Sequence, residues 1–188
     1  MNELDRRAQG KLYNPYKADD GTWDKSRDVL EKFNSSLRPN MVVLKDIFGK
    51  LPNDAVIIPP FYCDHGNMIF IGQHFYANTG LLILDEAKVT IGSNVFLGPR
   101  VSIYTACHPI DALVRNMELE YAKEVKIGND VWIGGNAVIN PGVTIGDNVV
   151  IGSGSVVTKG IPSNVVAAGN PCKVIREITQ KDKDYWMQ

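Results

Sequence analysis

The chain has 188 residues and carries 20 Lys+Arg against 21 Asp+Glu, a formal charge of -1. This balance supplies no general electrostatic drive toward nucleic acid or an anionic membrane. Three cysteines, Cys63, Cys107 and Cys172, are odd in number and widely spaced, which argues against a disulfide scaffold or a cysteine zinc site. With no apolar run resembling a signal peptide or a membrane span, they predict a cytoplasmic protein.

Residues 1–52 read as a small helical subdomain. Gly, Pro and Asp punctuate residues 10–23 as turns. Asp24 is placed to cap a helix whose apolar residues Val29, Leu30, Phe33 and Leu37 keep helical spacing. A second short helix is predicted over 41–51 from Leu44, Ile47, Phe48 and Leu51, ending at Pro52.

From Ile69 onward the period becomes six. Hexads start at Ile69, Phe75 and Leu81, then at Val89, Val95 and Val101, then run from Val125 through Ile161. Of these thirteen, twelve open on an apolar residue, Ser155 being the exception. Third positions are almost all apolar as well, so positions one and three share a strand face and one interior. Gly fills the fourth position in seven hexads, read as the corner-turning residue. Non-glycine residues at that position, Tyr104, Asn140 and Thr158, close groups of three hexads, which superimposes a period of eighteen on the six. Three strands and three corners make one triangular coil, and stacked coils make a parallel β-helix over 53–168, with 169–188 as an extension packing on it. A sandwich of short strands also alternates, but its turns vary in length. The second, outward positions include Phe96, Trp132, Val138, Val150 and Val156, predicting a covered outer surface.

The beat stops at residues 107–124. These residues cannot be a degenerate coil, because in frame the third positions would be Pro109, Arg115 and Tyr121. The segment is therefore a loop thrown out from the stack, with His108 at its foot. His65, His74 and His108 fall at unrelated phases of the repeat, so a three-histidine metal site is not predicted within one chain.

The motifs "GKLYNPY", "FYAN", "HPIDALVRN", "LEYAK", "VWIGGNAVINPGV" and "AAGNPCKVIR" together resemble the galactoside/maltose O-acetyltransferase family of hexapeptide-repeat acyltransferases, over about residues 5–178. The resemblance implies a mainly β fold: a left-handed parallel β-helix with a short N-terminal α-helical subdomain and a protruding loop. It implies a homotrimer with acetyl-CoA in the groove between subunits, a sugar-like acceptor and no required metal. His108 corresponds to the family's general base; direct transfer through a tetrahedral intermediate calls for backbone N–H donors at the oxyanion, and Gly135 is the candidate. Asp64, Tyr76, Asn78, Asp85 and Glu120 fall at acceptor-pocket positions. Trp132, Gly135, Ser153, Thr158, Lys159, Lys173 and Arg176 fall beside coenzyme A, the last two toward its phosphates. Two places depart from the family pattern: Asn14 stands where Asp is common, and Asp64 where some relatives carry Ser. Both bear on which sugar is accepted. The residues by themselves also admit acetylation of a xenobiotic or other small acceptor, a non-catalytic β-helix serving as a binding or structural module, or a zinc hydratase assembled across subunits.

Overall fold

A computed structural model describes residues 1–188. Because positions one and three of each hexad point inward, each coil buries its apolar residues only by stacking on the next, and three sheets result. The first face carries 69–71, 89–91, 125–127 and 144–145. The second carries 56–57, 76–77, 96–97, 132–133, 149–151 and 165–168. The third carries 61–63, 81–84, 102–104, 138–139 and 156–157. Pairing among these strands is parallel, and the register is strict. Ile57, Ala77, Leu97, Ile133, Ile151 and Ala167 stack inside the second face while Val56, Tyr76, Phe96, Trp132, Val150 and Val166 stack outside it. After Ala168 the chain turns back, and Lys173–Glu177 pairs antiparallel on Val165–Ala168. Ser155, the polar first position, is buried, and its hydroxyl donates to the Gly152 carbonyl while accepting from the Gly169 N–H.

The solenoid begins earlier than the hexad pattern does. Strands 56–57 and 61–63, with a bridge from Lys50 to Phe70, form a first coil whose corners are too irregular to show as hexads. Over this coil lies the N-terminal segment, comprising α1 (Glu3–Ala8), α2 (Thr22–Asn34) and α3 (Met41–Leu44). The unanticipated α1 is set by a capping box between Asn2 and Asp5. Helix α2 buries Val29, Leu30 and Phe33 against the first coil, in one continuous core with the solenoid interior, and Asn34 pins it by bonding both the N–H and the C=O of Phe61. Two details differ from the sequence expectation. Gly21, not Asp24, precedes the first turn of α2, and Leu37 lies beyond its end, 93% exposed. Only Met41–Leu44 of the second expected helix is helical, yet Leu44 at its end and Ile47 and Phe48 beyond it are all buried.

The fourth-position glycines have a different cause from the one expected. None has a positive φ. The left-handed conformation falls instead two residues later, at His74, Asn94, Arg100, Asp130, Asn136 and Asn148. What excludes a side chain at position four is the neighbouring coil: a Cβ on Gly92 would sit 2.5 Å from the Gly128 carbonyl oxygen, and one on Gly98 2.5 Å from the Gly135 nitrogen.

The excursion is an ordered hairpin. Ala106–Cys107 pairs antiparallel with Tyr121–Ala122. Between them α4 (Ala112–Arg115) is capped by the Asp111 carboxylate, and Arg115 ties the loop by donating to the Pro109 and Ile110 carbonyls.

Candidate active site

One edge of the prism, between the third and first faces, breaks the period on three successive coils. Phe61 to Ile69 and Leu81 to Val89 are steps of eight residues instead of six, and Tyr104 to Val125 holds the whole hairpin. The extra residues bring Asp64, His65, Asp85, Glu86, His108 and Glu120 to one edge, one coil above another. Thr105, buried, fixes the break by donating to the Leu84 carbonyl and accepting from the Ala87 N–H.

His108 is largely exposed, and Glu120 is buried behind it, 4.0 Å between Nε2 and Oε2. Glu120 is held by the N-terminal segment, since Tyr13 and Glu120 exchange both backbone hydrogen bonds, at 2.9 and 3.0 Å. The fully buried Tyr13 hydroxyl contacts Glu120 Oε1 and lies 2.8 Å from Glu86 Oε2. Glu86 Oε1 in turn is 3.0 Å from His65 Nε2, and His65 Nδ1 is 2.7 Å from the Thr22 hydroxyl. Arg7 closes the cluster, 3.6 Å from Glu86 and 3.7 Å from Asp20. Burial would raise the Glu86 carboxyl, but the bond and charge of His65, the Tyr13 hydroxyl and Arg7 together hold it below its ordinary range. Glu120 is pushed up, first by burial and then by the Glu86 charge. Tyr13 is pushed up by burial and by both glutamates. A pocket of about 460 Å³ opens on the outer side of this cluster, with Arg7, Tyr13, Tyr16, Trp23, His65 and Glu86 in its wall.

The predicted acceptor residues do not all meet here. Asp64 does, and its backbone is anchored by Ser26 and Asp85, while burial and the charges of Glu86 and Asp85 push its carboxyl up to about 6. Asp85 lies at the same edge but is wholly buried, its oxygens taken by the N–H groups of Asp64, His65 and Gly66. It therefore clamps the turn and offers no free oxygen of the kind expected of a sugar contact. Tyr76 stands in the outer ladder of the second face. Asn78 lies on the next edge, between the second and third faces, with its Oδ1 taken by the Thr79 N–H and no left-handed φ. Arg7, Tyr13, His65 and Glu86 were not singled out from sequence. The eight-residue step from Leu81 to Val89 was the available signal for Glu86.

The predicted coenzyme residues divide in the same way. Thr158 and Lys159 follow His108 down the broken edge, after strand 156–157. Gly135 and Ser153 stack on the other edge, where a Cβ on Gly134 would meet the Ser153 nitrogen at 2.5 Å. Trp132 is 57% exposed on the second face. Lys173 is exposed, as is Arg176, whose guanidinium donates to Asp182 through two bonds, 2.9 and 2.6 Å.

Residues 124–159 match the family model described as bacterial transferase hexapeptide (six repeats). A galactoside O-acetyltransferase of Escherichia coli is 46% identical over 169 residues, 87% of this chain and 83% of that one. The crystal structure of a maltose O-acetyltransferase from Clostridium difficile superposes with a TM-score of 0.91 at 44% identity, covering 95% of this chain and 98% of the other. A galactoside acetyltransferase solved in complex with coenzyme A gives a TM-score of 0.91 at 43% identity, covering 97% and 94%. Superposition and sequence identity thus agree along nearly the full length, and the chain belongs to the galactoside/maltose O-acetyltransferase family of hexapeptide-repeat acyltransferases.

Proposed function

We propose that the protein transfers an acetyl group from acetyl-CoA to a hydroxyl of a sugar or glycoside, with His108 as general base. The observation that carries this reading is the pairing of an exposed imidazole with a buried glutamate at the foot of the hairpin, on the edge that runs down to Thr158 and Lys159. A sugar hydroxyl is a poor nucleophile near neutral pH, so a base within reach of its proton is required, and the protonated imidazole then returns that proton to the departing thiolate. The thioester is reactive enough for direct attack through one tetrahedral intermediate. Gly135, whose N–H makes no hydrogen bond within the chain, is the proposed oxyanion donor. Asp64, Glu120 and the pocket bounded by Tyr16 and Trp23 suit a polyol, which needs acceptors for several hydroxyls and an apolar surface for its ring.

The test is thiol release from acetyl-CoA across a panel of glucosides, galactosides, maltose and non-sugar alcohols. Sugars should stimulate release. His108→Ala should lower kcat by about 10²–10⁴-fold while coenzyme A still binds in calorimetry. Full turnover in that variant removes His108 as the base, and stimulation by non-sugar acceptors alone overturns the substrate class.

A further inference from the structure

Tyr13 has one hydroxyl proton and two carboxylate neighbours, Glu86 Oε2 at 2.8 Å and Glu120 Oε1 closer still. A phenol donates only once. If both carboxylates were ionised, one of these contacts would set two lone pairs against each other in a buried site, which is the costly arrangement. One carboxyl must therefore carry a proton and donate it to the Tyr13 oxygen. The surroundings decide which. Glu86 faces His65 at 3.0 Å and Arg7 at 3.6 Å, so its negative charge is matched. Glu120 faces Tyr13, the Glu86 charge, the thiol of Cys107 and the imidazole of His108, with Arg7 further off. Asp64 and Asp85 add negative charge to the same edge. Glu120 is the member with no committed cation.

We infer that Glu120, Tyr13 and Glu86 share one extra proton, held on Glu120 at rest and passed through Tyr13 to Glu86 as His108 becomes protonated. Tyr13 and Glu86 are then positioning residues that act on the base through Glu120. In the shift, the Glu120 O–H bond breaks as an O–H bond forms at Tyr13 Oη, and the original Tyr13 O–H breaks as one forms at Glu86 Oε2. One negative charge leaves Glu86 and appears on Glu120, and no other reactant takes part. The resting imidazole thus faces a neutral carboxyl and stays free to accept a proton, whereas the imidazolium faces a carboxylate at 4.0 Å. Such an interaction, strong only once the proton has moved, accelerates the reaction instead of tightening the ground state.

The inference rests on His108 being the base, and its test separates the two. The imidazole of His108 is titrated by NMR in histidine-labelled protein, assigned by its loss in His108→Ala, and kcat is measured alongside. In Glu120→Gln the His108 midpoint should fall below the parent's, because an amide cannot become the carboxylate that the parent's imidazolium faces. Its kcat should fall by about tenfold or more, the counterpart of one pKa unit. In Glu86→Gln the new amide donates to Tyr13, whose proton goes to Glu120 as an anion, and the His108 midpoint should rise by about one unit or more. An unmoved midpoint in Glu120→Gln would show that no charge reaches Glu120, and an unmoved or lowered one in Glu86→Gln would mean an ordinary ion pair with Glu120 ionised throughout; either overturns the shared proton. Should Glu86→Gln not fold, since its charge serves Arg7 and His65, difference infrared spectra decide: the C=O stretch of a protonated carboxyl, present in the parent above the His108 midpoint, should vanish in Glu120→Gln, and its absence from the parent overturns the shared proton. Full turnover in His108→Ala would remove the base reading, while the titrations would still report who holds the proton.

Discussion

Asp64 is the one carboxylate at the broken edge whose side chain has no hydrogen-bond partner in the chain; only its backbone is engaged. Burial, with Glu86 and Asp85 beside it, pushes its carboxyl up to about 6 from an ordinary 3.8. The sign follows from linkage. A folded value above the unfolded one means that folding disfavours ionisation, so stability is full below about 4 and is eroded as pH rises through 6. That gap corresponds to a cost on the order of 3 kcal/mol at neutral pH, an expense a structural residue would not carry but a ligand-binding carboxylate does. Asp64→Asn should therefore melt several degrees higher than the parent at pH 7.5 and at the same temperature near pH 4, while the KM for the sugar rises and that for acetyl-CoA does not. A melting difference that ignores pH would show the carboxylate to be compensated by something else. Asp85 is the contrast: it is wholly buried and its carboxyl is likewise pushed up by burial, but three backbone N–H groups bond its oxygens and oppose that shift.

Among the elements, the corners carry the most readable and the most misleading signal. Glycine at position four was visible in the sequence, and so was the solenoid it implies, but the cause was invisible there because it lies in the adjacent coil. The two causes predict different penalties. Gly92→Ala drives a Cβ to 2.5 Å from a backbone carbonyl that cannot move without unstacking a coil, whereas Gly154→Ala, with φ +70 and nothing within 4 Å, strains only itself. Gly154→Ala should cost about 1 kcal/mol, and Gly92→Ala roughly 3 kcal/mol or more, read from urea melts. Equal losses would return the position-four glycines to a conformational explanation. The same logic explains what sequence missed at the site. His108 was legible because it stands where a strict period fails. Tyr13 and Arg7 were not, because they reach Glu120 and Glu86 from a segment with no period at all, across more than 70 residues of chain for Tyr13 and Glu86. Leu37 has apolar spacing but falls past the end of α2, where nothing covers it. Periodicity reports what an element buries, and it stops reporting where the element stops.

At the scale of the molecule, the proposed site residues lie on two different edges of one prism. His108, Thr158 and Lys159 follow the edge between the third and first faces, while Asn78, Gly135 and Ser153 follow the edge between the second and third. The strands of the third face, such as 138–139, stand between them, and we propose that a ligand touching both sets draws them from two copies. The outer surfaces agree. The second face shows Tyr76, Phe96, Trp132 and Val150 in one ladder, and the third shows Leu82, Val138 and Val156 around Ser102, whereas the first alternates with Thr90, Lys126 and Thr144. Two unlike apolar faces and one polar face suit a closed ring of head-to-tail contacts, and we propose that this ring is the homotrimer the family resemblance implies. Phe96, 52% exposed in the single chain, and Val138 sit on opposite sides of such a contact. Phe96→Asp and Val138→Asp should each yield monomers by light scattering, with the β-helix intact by circular dichroism and turnover lost. Mixing the two variants is the decisive arm. The intact third face of the first variant meets the intact second face of the other, one native contact forms, and part of the activity returns. Monomers that keep full turnover, or a mixture that stays inactive while each variant remains folded, would place the whole site within one chain and sink the ring.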